Sequence, residues 1–289
     1  MNRWPALQAA TAGDVAARVP FFVLDGGQPL EAGSVARAHL PALRRWPREL
    51  QQHDAGLTLT VPAAERDALF DALNPVLRDE GLIVAWRNER YPVQALADGR
   101  LLATFERAAS RFWGTLTFGA HCNGWVAGDD GRPQALWIAR RSFTKPTDPG
   151  LFDNLIGGGV PHGQSADETV VREGWEEAGL TPAQMAARTR GRCWRVARDI
   201  PEGFQLEWLQ VFDLQLPAGL VPRNQDGEVA ELRLMPLAEA LDRAASAQMT
   251  VDASLATLDF ALRHRLLPEE QLQRLQPLAA ALLVAGAQP

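Results

Sequence analysis

The run GGGVPHGQSADETVVREGWEEAGL, residues 157–180, carries the most physical information in the chain. It reads as a glycine loop feeding a capped helix. Ser165 followed three residues later by Glu168 is a capping box, and Gly179 with Pro182 beyond it is a helix stop, so a helix is predicted over 166–178. Within that helix Glu168 and Arg172 are a favourably oriented i,i+4 pair, and Val171, Trp175 and Ala178 supply the expected buried stripe. Gly174 costs the helix about 1 kcal/mol. Glu173, Glu176 and Glu177 run against helix logic. They share one face, where like charges destabilise, and the last two sit in the final turn, where the macrodipole favours cations. A bare acidic face of this spacing is usually a solvated one. With a glycine stretch just ahead of it, the reading shifts to oxygen ligands for a hard cation, Mg²⁺ or Mn²⁺.

These residues resemble the Nudix box, Gx5Ex7REUxEExGU, where U is bulky and apolar. Gly158, Arg172, Glu173, Glu176, Glu177, Gly179 and Leu180 match it at the required spacings. Two positions depart from it. Gln164 replaces the first glutamate, so that either a helix-start salt bridge to Arg172 becomes a neutral hydrogen bond or a subsidiary acid is lost, and Gly174 replaces an apolar residue. WRNERYPV (86–93), FGAHCNGWV (118–126), LWIARRSFTKPTDPGLFDN (136–154), DGEV (226–229) and LDFALRH (258–264) are similar to a Nudix subgroup with an extra N-terminal domain. That subgroup is often labelled thiamin pyrophosphokinase-related.

The resemblance implies an α+β protein. A Nudix α/β/α sandwich with a mixed sheet and C-terminal helices would occupy 116–289, preceded by a smaller α+β domain over 1–115 that helps select the substrate. It implies Mg²⁺- or Mn²⁺-dependent hydrolysis of a small organic diphosphate to the monophosphate plus phosphate. The expected substrate is thiamin diphosphate or its oxidised or toxic analogues. The alternatives are a pyrophosphatase for ADP-ribose or a nucleotide sugar, and a non-catalytic sensor of a diphosphate metabolite, which only Gln164 favours.

The implied metal ligands are Glu173, Glu176, Glu177 and the main-chain carbonyl of Gly158. The general base is Glu173 or the loop residue Glu228. Arg172, Gln164 and Gly179 shape the box. Outside it, Arg140, Arg141 and Lys145 follow a strand that should enter the cleft, and are candidates for binding phosphate oxygens. Asn154 is a candidate for orienting the glycine loop through side-chain to backbone bonds. Asn88 and Tyr91, with Trp86 and Trp125, are candidates for contacting an aromatic organic group. His121 reads as a satisfied strand histidine and His162 as exposed. Cys122 has no oriented partner for nucleophilic catalysis.

Composition supports this emphasis on the middle of the chain. The sequence has a single lysine, Lys145, a single tyrosine, Tyr91, and six asparagines. Five of those eight residues lie between 88 and 154, where arginine, phenylalanine or aspartate would not meet the chemical demand. The length of 289 residues suggests two domains or one enlarged one. A net charge of -6 argues against nonspecific nucleic-acid binding. Cys122 and Cys193 lack metal or CxxC spacing and read as free thiols of a cytoplasmic protein. The start MNRWPALQAATAG lacks the apolar core of a signal peptide, and no stretch has the length of a membrane span. The pattern leaves the oligomeric state open.

Elsewhere the periodicity predicts an apolar-periodic segment from Ser34 to Trp46, a strand at Leu57–Val61, and a helix after Pro62. That helix should bury Leu69, Phe70, Leu73, Val76 and Leu77 and close at Gly81. A helix is read over 105–114. Strands are read near 116–119, 124–126, 135–139, 191–198, 206–216 and 229–235, with helices over the last 40 residues and a domain boundary near 112–118.

Overall fold

The computed structural model describes residues 4–145 and 147–286. Residues 1–3, Pro146 and 287–289 fall inside the expected segments but lie outside the described residues.

A short helix α1 (Pro5–Ala9) precedes the strands β1 (Arg18–Asp25) and β2 (Gln28–Ala36), which turn at Gly26 and Gly27. Both glycines have positive φ, which the two-residue hairpin turn requires. Next come α2 (Leu40–Leu43), β3 (Leu50–His53) and β4 (Gly56–Leu59). The four strands form a sheet in the order β2-β1-β4-β3, with β1 and β4 parallel. Helix α3 (Arg66–Asp79), the hairpin β5 (Arg90–Gln94) and β6 (Leu101–Glu106), and α4 (Ala109–Trp113) complete this unit. Phe21, Phe70, Phe105, Phe112 and Trp113 fill its core and meet ring to ring.

Three local expectations change here. The Ser34–Trp46 segment begins in β2, and only four residues of it are α-helical. The 105–114 segment starts in β6, so its helix begins at Ala109. Helix α3 buries Phe70, Leu73 and Leu77, while Val76 is exposed, because the face that packs toward β6 is narrower than the apolar spacing suggested.

The second unit begins with β7 (Leu116–Ala127), β8 (Pro133–Arg141), β9 (Phe152–Asn154), β10 (Ile156–Gly159), α5 (Ala166–Ala178) and α6 (Pro182–Met185). It continues through β11 (Thr189–Ile200), β12 (Gly203–Gln215), β13 (Val229–Pro236), α7 (Leu237–Ala244), α8 (Val251–Arg263) and α9 (Glu269–Ala280). The sheet order is β11-β12-β7-β8-β13, with β10 on β7 and β9 on β8. Strands β12 and β7 are parallel and the other pairs antiparallel, so the sheet is mixed. Helix α5 packs on one face, where Ala120, Cys122 and Phe212 meet Val170 and Ala178. Helices α7 and α8 cover the other, where Ile138, Trp194 and Leu209 meet Leu255, Leu258 and Phe260. This is an α/β/α sandwich.

Helix α8 is buried continuously from Ala253 to Leu262, so it needs cover on every side. Part of that cover comes from the start of the chain: Trp4, Ala6 and Ala10 join its core, and the Trp4 N–H donates to the Ala245 carbonyl (3.1 Å). The core of the N-terminal unit therefore runs from Val19 to Trp113, while residues 4–10 pack with the second unit rather than with the 1–115 segment. Among the described residues, no helix is long and apolar enough to cross a membrane.

Candidate active site

Helix α5 starts and stops where its sequence says. The Ser165 hydroxyl accepts from the Glu168 N–H, and Glu168 Oε2 accepts from the Ser165 N–H (2.8 Å). Gly179 caps the other end at φ 65. Because Glu168 is committed to the cap, the expected Glu168–Arg172 pair does not form. Arg172 instead donates to Glu176 Oε2 (2.7 Å) and lies 2.9 Å from Glu173 Oε1. Gln164 Oε1 accepts from Arg172 Nε (3.3 Å) and from Thr169 (3.2 Å), which is the neutral bond expected at that position.

The buried face of α5 is also rotated from the expected stripe. It comprises Ala166, Thr169, Val170, Gly174, Glu177 and Ala178, while Trp175 is 51% exposed. Gly174 explains the rotation. A Cβ there would lie 2.8 Å from the Met185 sulfur, so α5 seats against α6 at its glycine rather than at its tryptophan. The same rotation turns Glu177 inward.

Residues 157–159 form strand β10 rather than a loop, with Gly157 opposite His121 and Gly158 opposite Ala120. The Glu177 carboxylate accepts the Gly157 N–H (2.8 Å). A Cβ on Gly158 would stand 2.2 Å from Glu173 Oε1, and one on Gly159 would stand 1.9 Å from the Tyr91 hydroxyl. Glycine here lets the backbone approach both side chains. Burial pushes the Glu177 carboxyl up to about 8, against the opposing pull of Lys145. Burial likewise pushes Glu173 up to about 7, opposed by Arg172 and reinforced by Glu176.

Lys145 Nζ lies 3.6 Å from Glu177 Oε1 and 2.7 Å from Glu228 Oε2, and Arg87 stands 3.5 Å from Glu228. Burial would raise Glu228, but the Lys145 hydrogen bond and charge outweigh it and hold that carboxyl low. Two desolvated carboxylates beside a backbone strand are a hard-oxygen donor set that a divalent cation would suit. The three box glutamates nonetheless do not converge in this conformation, since Glu176 is engaged by Arg172. Among the described residues, no three His, Cys, Asp or Glu side chains gather closely enough to hold a metal ion.

A cavity of about 150 Å³ lies between the two units. Arg87, Tyr91, Arg107 and Arg111 line it from the N-terminal side, and Gly157–Gly159, Arg141, His121, Glu207 and Asp252 from the other. Several expected residues are here. Tyr91 faces it with an unpartnered hydroxyl, and burial pushes that phenol up to about 12. Arg141 donates to Asp153 (2.9 Å) and to the Thr147 carbonyl (2.9 Å) at its edge.

Others are elsewhere. Arg140 donates to the Gly150 carbonyl and stacks over Phe143 and Phe152, away from the cavity, because successive strand residues point to opposite faces. Asn88 is an exposed turn residue at φ 60 that accepts from Trp86 Nε1 (2.9 Å). Trp86 lies under Arg78, and Trp125 packs on Phe260. Asn154 does not hold the glycine backbone; that task falls to Glu177. Its Oδ1 accepts from His121 Nδ1 (2.9 Å), and its amide donates to Asn123 (3.0 Å). His121 is the satisfied strand histidine expected, although its ring also lines the cavity. Cys122 is buried and its thiol is pushed up by that burial, so it is no nucleophile. Arg107, Arg111, Glu207 and Asp252 escaped the sequence reading. The available signal was a glutamate inside the apolar strand run FQLEWLQVF (204–212).

A helix that turns two glutamates onto a glycine strand, at the mouth of a cleft walled by arginines, defines a class of site. Residues 120–253 match the family model described as NUDIX domain, and this segment of the chain is a Nudix domain. The Arabidopsis thaliana protein "Nudix hydrolase 20, chloroplastic" is 37% identical over 210 residues, covering 72% of this chain and 55% of that protein. "Nudix hydrolase 24, chloroplastic" of the same plant is 38% identical over 197 residues, covering 68% of this chain and 53% of that protein. The chain thus spans about half the length of the curated relatives it matches. Among solved structures, the NUDIX domain of Shewanella oneidensis NrtR complexed with ADP ribose aligns with a TM-score of 0.39 and 17% identity. That alignment covers 53% of this chain and 90% of that one.

Proposed function

We propose that this chain is a divalent-metal-dependent Nudix hydrolase that cleaves an organic diphosphate to the monophosphate and phosphate, with thiamin diphosphate or its oxidised or toxic analogues as substrate. The observation that carries the hydrolase reading is the burial of Glu173 and Glu177 against Gly157 and Gly158 at the mouth of the cavity. Glu173, Glu176, Glu177 and the Gly158 carbonyl would hold the Mg²⁺ or Mn²⁺. When bound, the ion supplies charge neutralisation of the diphosphate and an acidified water.

The protein's own groups do the rest. Arg87, Arg107 and Arg141 offer guanidinium N–H groups to phosphate oxygens along the cavity wall. Lys145 ties Glu177 to Glu228, and so couples the 142–150 loop to the box helix. Glu173, raised to about 7, is matched to accept a proton from the attacking water near neutral pH. Glu228, held low by Lys145, is the weaker acceptor and the second candidate for the base. The N-terminal unit contributes Tyr91 and the arginine wall, and so takes part in choosing the organic group. Two buried free thiols, Cys122 and Cys193, suit a reducing compartment and support a cytoplasmic location.

The test is phosphate-release kinetics on the purified chain with Mg²⁺, comparing thiamin diphosphate, oxythiamin diphosphate, ADP-ribose and a nucleoside triphosphate. Monophosphate formation from the thiamin compounds, abolished by EDTA, is the expected result. Turnover of ADP-ribose alone keeps the hydrolase and discards the thiamin substrate. Tight binding of one compound with no turnover of any would instead mark a sensor, the reading that Gln164 in the box favours.

A further inference from the structure

A line of buried polar side chains crosses the sheet beneath α8 and ends at the cavity. It starts at Asp213 on β12, whose Oδ2 stands 2.6 Å from Arg263 Nη1. Asp213 Oδ1 accepts from the Asn123 amide on β7 (3.0 Å), which also donates to the Ala256 carbonyl (3.1 Å). Asn123 Oδ1 accepts from the Asn154 amide on β9 (3.0 Å), and that amide also donates to the Thr257 hydroxyl (3.2 Å). Asn154 Oδ1 in turn meets His121 Nδ1 (2.9 Å), with Asp153 Oδ1 3.6 Å from the same nitrogen. Asp213, Asn123 and Asn154 are all buried.

The line has a direction. A carboxylate only accepts, so Asn123 turns its NH₂ toward Asp213 and its oxygen toward Asn154. Asn154 must then donate to Asn123 and offer its own oxygen to His121. That oxygen and the Asp153 carboxylate only accept, so Nδ1 carries the proton and the neutral ring keeps its lone pair on Nε2. An amide both donates and accepts through one short side chain, which explains why asparagine, scarce in this sequence, is kept at 123 and 154. Aspartate at 123 would face Asp213, and aspartate at 154 would face Asn123 Oδ1.

His121 Nε2 is the free end. Among the described residues it has no hydrogen-bond partner, and His121 lines the cavity. A Cβ on Gly157 would stand 2.8 Å from His121 Cε1 and 3.1 Å from Nε2, so glycine leaves the ring its place beside the box strand. Charge nearby is already answered: Arg111 donates to Glu207 (3.0 Å) and Arg141 to Asp153 (2.9 Å). The unmet need is a hydrogen-bond donor, not a counter-charge. A buried acceptor without a donor costs free energy, and one oriented through three side chains is set for a ligand that supplies the donor.

We propose that His121 Nε2 accepts a hydrogen bond from an N–H or O–H on the organic part of the substrate, held to that role by Asp213, Asn123 and Asn154. This rests on the diphosphate-hydrolase reading of the adjoining glycine strand. His121 is specificity-determining, the other three are positioning residues, and none takes part in bond cleavage. An ionised phosphate oxygen only accepts, so Nε2 turns it away and leaves it to the arginines.

The first experiment is nitrogen NMR of the full chain labelled at histidine, with the His121 signals identified by their loss in His121→Phe. The Nδ1–H tautomer is expected in wild type, and a second tautomer should appear in Asn154→Leu. Kinetics with Mg²⁺ follow, on whichever of thiamin diphosphate and ADP-ribose is turned over, since both carry N–H or O–H donors on the organic group. His121→Phe should raise KM about tenfold with kcat within about twofold. Inhibition by inorganic pyrophosphate, which has no organic group, should keep its wild-type strength. His121→Gln, whose amide oxygen reaches the Nε2 position, should recover part of the KM. An Nε2–H or doubly protonated ring in wild type overturns the proposal. So does an unchanged KM in His121→Phe, or an equal loss of pyrophosphate inhibition. Wild-type ring signals in Asn154→Leu overturn the positioning role; should that variant not fold, the wild-type spectrum and His121→Phe still decide. If wild type turns over neither compound, the hydrolase reading falls. Calorimetric affinities of wild type and His121→Phe for the same two compounds then test the acceptor alone, and equal affinities overturn it.

Discussion

Two pairs of carboxylates stand about one cavity, one held against the glycine strand that lines it and one lining it directly, and they arise in different ways. Glu173 and Glu177 stand four apart on one helix, so helical geometry alone brings them to one face, and Lys145 and Arg172 answer their charge. Glu207 and Asp252 come from a strand and a helix with no sequence relation, and meet only because α8 packs against the sheet beside β12. The first pair faces a backbone strand that has no room for side chains. The second lines the cavity with Tyr91, whose hydroxyl has no hydrogen-bond partner, and with Arg111, which pairs with Glu207 through Nη2 (3.0 Å) and leaves Nη1 unbonded. A pair of carboxylates on one helix can thus be specified by a short local pattern, whereas a pair drawn from a strand and a distant helix has to be assembled across the fold.

The sharpest way to break this division of labour is Glu173→Gln. Turnover of thiamin diphosphate is expected to fall about 10²-fold or more with the melting temperature retained, because the amide keeps the shape and loses the charge and basicity. A phosphate-release assay showing near-wild-type turnover would mean that the helix face is only structural. Gly158→Ala tests the strand side of the same contact. The added Cβ would meet Glu173 Oε1 at 2.2 Å, so the carboxylate must move. A loss of about 10²-fold in kcat follows from a displacement on the order of 1 Å, and urea unfolding should show a loss of about 1–3 kcal/mol.

Proton linkage separates the pairs next. Glu173 and Glu177 have folded values near 7 and 8, above their ordinary 4.5, so the folded state binds more protons than the unfolded one between those limits. Stability without metal is therefore expected to be fullest below about pH 4.5 for these two groups, and to decline as pH rises through 7 and 8. Denaturant titrations in EDTA across that range check the sign, and Mg²⁺ should flatten the decline by taking the place of the protons. A metal-free stability that rises over the same window would contradict the assignment.

Gly174→Ala is expected to change stability by less than about 1 kcal/mol, since the gain in helix propensity is opposed by contact with a flexible methionine sulfur. Trp175→Gln should be smaller still, within about 0.5 kcal/mol in the same denaturation assay, because the ring is half exposed.

The box helix was legible to its ends because capping is local chemistry: Ser165, Glu168 and Gly179 each act within one turn. Which side of that helix faces inward was not legible. Val171 and Trp175 are more apolar than Gly174, yet Gly174 is inside, because the distance to Met185 on a neighbouring helix sets the rotation. Lys145 and Tyr91 were found through rarity of type, and both sit at the site. Asn88 passed the same filter and is a turn residue, since asparagine is also kept for its tolerance of positive φ. Arg140 and Arg141 were indistinguishable in sequence, and strand alternation sends only the second to the cavity.

What the amino-acid order settles here is whatever spans a few residues: the helix and its caps, the glutamate spacing, the need for glycine beside it, and the alternation of the longer strands. Backbone hydrogen bonding and side-chain periodicity operate at that range and leave a readable pattern. The division of the chain between two cores, the return of Trp4 to cover α8, the rotation of α5 and the meeting of Glu207 with Asp252 depend on which surfaces bury one another. Those outcomes come from packing between segments distant in sequence, where close approach and the exclusion of water, not local propensity, select the arrangement.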